Sequence, residues 1–133
     1  MNSSVPAGFR VAGVHCGIKR NPNKEDLTLV IADAPVVASG VYTQNLGCAA
    51  RVLLDRARTP SESIRAVVIN SGNANACTGE QGMRDAEEMT RLAAAVCDAQ
   101  PEQALVMSTG IIGRHLPMEK IAAGIEHAAT QLG

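Results

Sequence analysis

The chain has 133 residues, 46% of them hydrophobic, which is the size and composition of a single domain, residues 1–133, around one core. Its 12 Lys and Arg nearly balance its 13 Asp and Glu, and the net charge of −1 excludes the broad positive field that nucleic acid or an anionic membrane requires of a partner. No hydrophobic run reaches the roughly 18 residues that span a bilayer, and no signal-peptide pattern is present, so we expect a cytoplasmic protein.

The first half of the sequence predicts short strands separated by turns. Asp33-Ala34-Pro35 predicts a hairpin connection between two of them. Arg58–Ser63, which contains Pro60, predicts a loop. The predicted strands are Phe9–Val14, Leu27–Ala32, Val36–Thr43, Ala50–Arg56, Ile64–Asn70 and, later in the chain, Ala104–Ser108.

The second half predicts two amphipathic helices. In the first, Thr78 and Gln81 fit a capping box that would start the helix directly after Cys77. Pro117 is predicted as the first residue of the second helix. The hydrophobic faces are Ala86, Met89, Ala93 and Val96 in the first helix and Met118, Ile121, Ala122, Ile125 and Ala129 in the second. Strands followed by one-faced helices favour an α+β fold of packed layers.

A run of small residues, Ser71–Gly79, links a predicted strand to the first helix. Small residues permit tight turns and close approach, so the run is interpreted as either a binding loop or a tight connector. A phosphate cradle at the helix N-terminus is a third interpretation, which the absence of the GxxxxGK[ST] and GxGxxG patterns disfavours.

A second run, Ser108–Gly113, places hydroxyl groups and a glycine where a predicted strand ends. A side-chain hydroxyl and a free backbone N–H that point the same way are the two donors of an oxyanion hole. A glycine turn leading to the helix at Pro117 is the other interpretation of the same residues, and it is the one that the pattern alone favours.

Other arrangements of reactive residues are weaker. The cysteines Cys16, Cys48, Cys77 and Cys97 form no CxxC pair and have no histidine at zinc-ligand spacing, so we expect reduced, mostly buried thiols and no metal. A Ser/His/Asp triad drawn from Ser71 or Ser108 with His15, His115 or His127 lacks a GxSxG elbow and is discounted. The acidic pairs Glu25-Asp26 and Glu87-Glu88 are predicted to face solvent.

Two long motifs carry a family resemblance. Asn70–Gly79, followed by Gly82 and Asp85-Ala86, resembles the signature loop and helix of the bifunctional ornithine acetyltransferase/N-acetylglutamate synthase family. Ser108–Gly113, followed by Leu116-Pro117-Met118, is similar to the second signature of that family. Shorter matches fall in the same order upstream: Gly8-Phe9, Ala12-Gly13, Gly17-Ile18-Lys19, Asp26-Leu27, Gly40–Asn45 and Cys48-Ala49-Ala50.

The resemblance implies a precursor that cuts itself before a threonine into an α and a β chain. The implied fold is an αββα-type layered sandwich, completed by the β chain and assembled as an α2β2 heterotetramer. The implied reaction moves an acetyl group from N2-acetylornithine to glutamate through an acyl-threonine, with no metal or organic cofactor. Some members also accept acetyl-CoA.

The family's oxyanion-hole donors are the Thr and Gly of its STG motif, which correspond here to Thr109 and Gly110. The family's cleavage position lies beyond the last motif matched, so no threonine of this chain is assigned as the nucleophile. Two alternatives stay open from the sequence: a related self-processing aminopeptidase or amidase, and a non-catalytic remnant that keeps the fold without the β part.

Overall fold

The computed structural model describes residues 4–45 and 49–133, so that Met1–Ser3 and Leu46–Cys48, including one of the cysteines discussed above, lie outside the described residues. A short 3-10 turn, Pro101–Gln103, precedes the last strand. The elements in chain order are β1 (Phe9–Val14), β2 (Leu27–Ala38), α1 (Ala50–Arg58), β3 (Ser61–Asn73), α2 (Gly79–Val96), β4 (Ala104–Ile111) and α3 (Met118–Thr130). The α+β class is as predicted.

The strands form one sheet in the order β1-β2-β3-β4. The pairs β1/β2 and β2/β3 are antiparallel, whereas β3 and β4 are parallel. A parallel pair needs a long crossover, and helix α2 provides it. Because β3 and β4 run in the same direction, their carboxyl ends lie at the same end of the sheet. The two runs of small residues begin in the last residues of these strands and therefore lie close together.

One face of the sheet and the helices enclose the core. Met89 and Ala93 of α2 and Ile121 of α3 are fully buried against Leu29, Val68 and the other inward residues of the strands. Along β4, Ala104, Val106 and Ser108 are buried while Met107, Thr109 and Ile111 are exposed, the alternation of a strand with one covered face.

The opposite face of the sheet is apolar and is not covered by any described helix. Val11, Val30, Val67 and Ile69 are half-buried there, and Met107 is 49% exposed. Among the described residues, nothing packs on Met107, and the other four side chains are only partly covered. The described residues therefore supply one α layer and one β layer.

The predicted hairpin at Asp33–Pro35 is wrong. Strand β2 runs through these residues to Ala38, and its pairing with β3 shifts register between Ile31 and Val36. A bulge explains this, since it absorbs extra residues without ending the strand and can hold a proline. The predicted strand Val36–Thr43 accordingly survives only as the end of β2.

The predicted strand Ala50–Arg56 is also wrong, because these residues form helix α1. Of the apolar residues Val52, Leu53 and Leu54 in this segment, only Leu54 is buried. The decisive spacing is that of Arg51, Asp55 and Arg58, which follow one another at helical intervals and share a face. The predicted loop Arg58–Ser63 shrinks to Thr59 and Pro60, which are joined by a cis peptide bond.

Both predicted helices are present, with differences at their starts. Thr78 is the N-cap of α2 but makes no capping bond. Its hydroxyl donates to Asn75 Oδ1, and the Gln81 side chain donates to Asp85. Pro117 is the N-cap of α3 rather than its first helical residue. In α3, Gly124 and Ala128 are buried, while Ala122 and Ala129 are only half-buried.

Candidate functional site

The two runs of small residues, Ser71–Gly79 and Ser108–Gly113, lie side by side at the carboxyl ends of β3 and β4. In the parallel register Ser71 pairs with Thr109 and Gly72 pairs with Gly110. The connection continues past the strands, because Ala74 N donates to Ile111 O at 2.9 Å and Gly113 N donates to Ala76 O at 2.8 Å. Segments that are far apart in sequence thus become one structural unit.

The backbones of β3 and β4 approach very closely at this edge. Gly110 has φ +126 and Gly72 has φ +105, in the region that favours glycine. A Cβ placed on Gly110 would stand 2.6 Å from Asn73 N and closer still to the carbonyl carbon of Gly72. Glycine at position 110 is therefore required both by conformation and by space.

The loop that follows β3 is held by buried asparagine side chains. Asn70 Nδ2 donates to Asn73 O at 2.8 Å, Asn73 Nδ2 donates to His115 O at 3.1 Å, and Asn75 Nδ2 donates to Gly82 O at 2.8 Å. Asn75 itself has φ +49, a left-handed conformation that asparagine tolerates. These bonds favour the tight-connector interpretation of the run.

The same loop uses its own backbone donors. Ala74 N donates to Ile111 O, and Asn75 N donates to Asn73 Oδ1 at 2.9 Å. A phosphate cradle needs several N–H groups that are free to face the ligand. The N–H groups of Ala74 and Asn75 are therefore not available to a bound anion.

Thr109 and Gly110 present different groups at the edge. The Thr109 side chain is exposed on the uncovered face of the sheet, and no side-chain hydrogen bond to it is found within residues 4–45 and 49–133. Val106 N–H donates to Asp55 Oδ1 at the free edge of β4, and successive N–H groups along a strand alternate in direction. The N–H groups of Ser108 and Gly110 therefore point to that free edge and away from β3.

The β1–β2 connection covers Gly72 and is organised by one buried carboxylate. Asp26 is 2% exposed, so the prediction that it faces solvent is wrong. It accepts the N–H groups of Cys16 at 2.8 Å and Lys19 at 2.9 Å. Ile18, between Cys16 and Lys19, lies close to Gly72: a Cβ placed on Gly72 would stand 2.9 Å from Ile18 Cγ2.

Asp26 also sets the ionisation of its surroundings. Burial opposes its charge, but the N–H groups of Cys16 and Lys19, the Cys16 side chain and nearby His15 outweigh burial and hold the pKa of Asp26 below its usual value. Burial, together with the hydrogen bond to Asp26 and its charge, raises the pKa of the Cys16 thiol to about 12. Cys16 is therefore a thiol at neutral pH and a poor nucleophile.

An open hollow of about 250 Å³ adjoins the edge. Ile18, Gly72 and Ile111 line it on the sheet side, and Arg114, His115 and Lys120 line it on the α3 side. The hollow thus combines an apolar wall with cationic side chains next to the paired glycines.

The Ser/His/Asp triad that the sequence analysis discounts does not form among the described residues. His15 Nδ1 lies 2.9 Å from Lys24 O and 3.3 Å from Asp26 Oδ2. Ser108 is fully buried, and among the described residues its hydroxyl has no hydrogen-bond partner that could activate it. In the same part of the chain, no group of three or more His, Cys, Asp or Glu side chains is placed to hold a metal ion.

Two buried carboxylates at or near the site escaped sequence reasoning, Asp26 and Asp55. Asp26 is in a charged, polar stretch that is typical of a surface turn, and Asp55 is in a segment predicted as a strand. The spacing of Arg51, Asp55 and Arg58, like that of Ala50 and Leu54, could have indicated α1. None of the described helices is long and apolar enough to cross a membrane.

Two solved structures share this fold. Ornithine acetyltransferase from Mycobacterium tuberculosis, solved in complex with ornithine, is 40% identical with a TM-score of 0.91, over 96% of this chain and 69% of that one. The arginine biosynthesis bifunctional protein ArgJ from Bacillus halodurans is 36% identical with a TM-score of 0.83, over 90% of this chain and 62% of that one. The chain therefore has the fold of the ornithine acetyltransferases.

The chain belongs to the ArgJ family, whose model matches residues 10–133. The arginine biosynthesis bifunctional protein ArgJ of Rhodopirellula baltica is 53% identical over 129 residues, and that of Symbiobacterium thermophilum is 54% identical over 130 residues. These alignments cover 97% of this chain but only 31% and 32% of the relatives. The chain thus spans about a third of the length of the curated relatives that it matches.

Proposed function

We propose that this chain is the α-chain part of a glutamate N-acetyltransferase of arginine biosynthesis and that it carries the oxyanion hole of the enzyme. The acetyl group passes from N2-acetylornithine to a threonine on a β chain of the same precursor, and from that threonine to glutamate. The observation that carries the proposal is the arrangement of Thr109 and Gly110 at the edge where the two family motifs meet.

The proposed chemistry begins with charge. Attack on the acetyl carbonyl places a negative charge on its oxygen, and in a site closed to water nearby donors must stabilise that charge. Thr109 has an exposed hydroxyl, and the alternation along β4 leaves the Gly110 N–H outside the β3/β4 ladder. The two donors flank the corner where the uncovered face of the sheet meets the free edge of β4.

The shape of the edge supports the same role. The Cβ that Gly110 lacks would point at the backbone of β3, and the close contact with Gly72 fixes the backbone of Gly110. A donor that is held in place before the reaction costs no reorganisation when the charge develops. Gly110 lies within β4 rather than in a turn, and its close pairing with Gly72 is compatible with the proposed oxyanion hole.

The remaining parts of the proposed enzyme come from outside this chain. The nucleophilic threonine lies on the β chain. Elements of the β chain pack on the apolar face of the sheet that no described helix covers. Two copies of each chain form an α2β2 heterotetramer. The extent of the relatives, about three times that of this chain, supports a second part. The chain on its own is then inactive.

The experiment is to replace Thr109 with Val in the complete, correctly processed enzyme. Valine keeps the β-branched shape but removes the hydroxyl donor, so we expect kcat to fall roughly 10²–10³-fold with a much smaller change in KM. Thr109→Ser is the matched control, since it keeps the hydroxyl and is expected to retain most of kcat. Processing is checked separately by gel.

A Thr109→Val enzyme whose kcat stays within about threefold of the wild type, under ~1 kcal/mol, would remove Thr109 from the proposed role. Transfer from N2-acetylornithine is measured with and without glutamate. Acetate release that is independent of glutamate would favour the aminopeptidase or amidase alternative instead.

A further inference from the structure

Helix α1 has a charged face that is turned towards the protein. Arg51, Asp55 and Arg58 share this face, and Asp55 is only 8% exposed. Each of the three side chains forms a hydrogen bond with a backbone atom of another segment. Arg51 Nη1 donates to Ala74 O at 2.7 Å, Asp55 Oδ1 accepts from Val106 N at 2.9 Å, and Arg58 Nη1 donates to Pro101 O at 2.9 Å and Ala104 O at 3.0 Å.

These bonds arrange α1 along the free edge of β4. Arg58 takes the outward carbonyl of Ala104, and Asp55 takes the outward N–H of Val106. The helix replaces a neighbouring strand over this stretch, which protects an otherwise open sheet edge. The next outward N–H groups along β4 belong to Ser108 and Gly110, and neither bonds a residue of α1 or of any other described segment.

Hydrogen bonds from α1 also reach the residues that follow Gly110. Arg51 holds Ala74 O, and Ala74 N in turn holds Ile111 O just beyond Gly110. The segment Thr109–Gly110 is therefore fixed on its upstream side by Asp55 and on its downstream side by Arg51. Both contacts come from the same helix face.

We propose that Asp55 is a positioning residue of the acetyl-transfer site, which sets the position of the Thr109–Gly110 donors through the N–H of Val106. This inference rests on the function proposed for Thr109 and Gly110. Arg51 and Arg58 lie near the carboxylate and partly offset the cost of burying its charge. Oxyanion donors tolerate little displacement, since a misplacement of about 1 Å can cost roughly 10²-fold in rate.

The ionisation of Asp55 is consistent with this environment. Burial raises its pKa to about 6, against the opposing effects of the Val106 N–H and the charges of Arg58 and Arg51. The group is therefore mostly ionised at neutral pH although it is buried.

Two substitutions separate position from charge in the processed enzyme. Asp55→Asn removes the charge but keeps an oxygen at the same place, so we expect kcat within about threefold of the wild type. Asp55→Glu keeps the charge but moves the carboxylate by one methylene, so we expect kcat to fall about tenfold or more while KM stays within twofold. Asp33→Glu is the control, because Asp33 is exposed and pairs with Arg10 on another part of the sheet.

The outcomes are distinguishable from those of the proposed function. The inference is overturned if Asp55→Glu leaves kcat within twofold of the wild type, or if Asp55→Asn lowers kcat as far as Asp55→Glu does. Hydrogen exchange of the β4 amides gives a readout apart from activity: Asp55→Glu should speed exchange at Val106 and Asp55→Asn should not. If Thr109→Val leaves kcat unchanged, the oxyanion-hole assignment fails first, and the exchange result still decides whether Asp55 holds β4.

Discussion

Gly110→Ala is the substitution whose cost the structure defines best. At φ +126 an alanine adopts a conformation that is nearly exclusive to glycine, which costs about 1–3 kcal/mol. Its Cβ would also stand 2.6 Å from Asn73 N, with the carbonyl and Cα carbons of Gly72 equally crowded. These are backbone atoms, so β3 and β4 must separate, at a further cost of about 1–3 kcal/mol by analogy with overpacking.

The expected total is a loss of about 2–6 kcal/mol in the free energy of unfolding. Gly113→Ala is the matched control, since Gly113 has φ +83 but open space around its Cβ, and it should lose only the conformational part. Gly72→Ala should fall between the two, because its Cβ meets the side chains of Ile18 and Lys19, which can shift.

The assay is urea unfolding of the purified variants, paired with kcat where the enzyme is active. Displacement of the Gly110 N–H should also lower kcat in Gly110→Ala but not in Gly113→Ala. If Gly110→Ala loses no more stability than Gly113→Ala, the close approach of β3 and β4 does not contribute as argued.

Four further predictions follow from other parts of the chain. Ser108→Ala removes a buried hydroxyl without a partner among the described residues, so the free energy of unfolding should stay level or rise by up to about 1 kcal/mol, and a larger loss in urea unfolding would show that the hydroxyl is bonded. The pKa of Asp55, raised from 3.8 to about 6, means that its contribution to stability is complete below pH 3.8 and is lost as pH rises through 6. Unfolding curves of wild type and Asp55→Asn should therefore diverge over this range by on the order of 1–3 kcal/mol, and parallel pH dependences would contradict this. Chelation and dialysis should leave the activity of the assembled enzyme intact. If activity were lost and zinc restored it, the interpretation that the cysteines bind no metal would be wrong. The isolated chain should show no acetyl transfer and should associate through its uncovered sheet face, which light scattering and an activity assay would test.

Much of the fold could be predicted from local patterns. The helical spacing of Ala86, Met89 and Ala93 indicated α2, and the spacing of Ile121 and Ile125 indicated α3, because an amphipathic period reports directly on one buried face. Strand β1 has the predicted bounds. Strands β3 and β4 contain the predicted strands and extend a few residues beyond them. The two motifs that carry the family resemblance also required no coordinates.

What the tertiary structure decided concerns polar groups whose partners are distant in sequence. Asp55 is separated from Val106 by 51 positions, and Asn73 from His115 by 42, so no local window contains both members of either pair. Residues 50–56 became a helix because their charged face meets the free edge of β4. Strand β2 continued past the bulge at Asp33–Pro35 because Val36 and Ala38 resume the pairing with β3. The sequence could thus indicate which segments carry the chemistry. Only the packed sheet determined that Gly72 and Gly110 meet. The reason is that the parallel pairing of β3 and β4 is set by long-range hydrogen bonds rather than by local propensity.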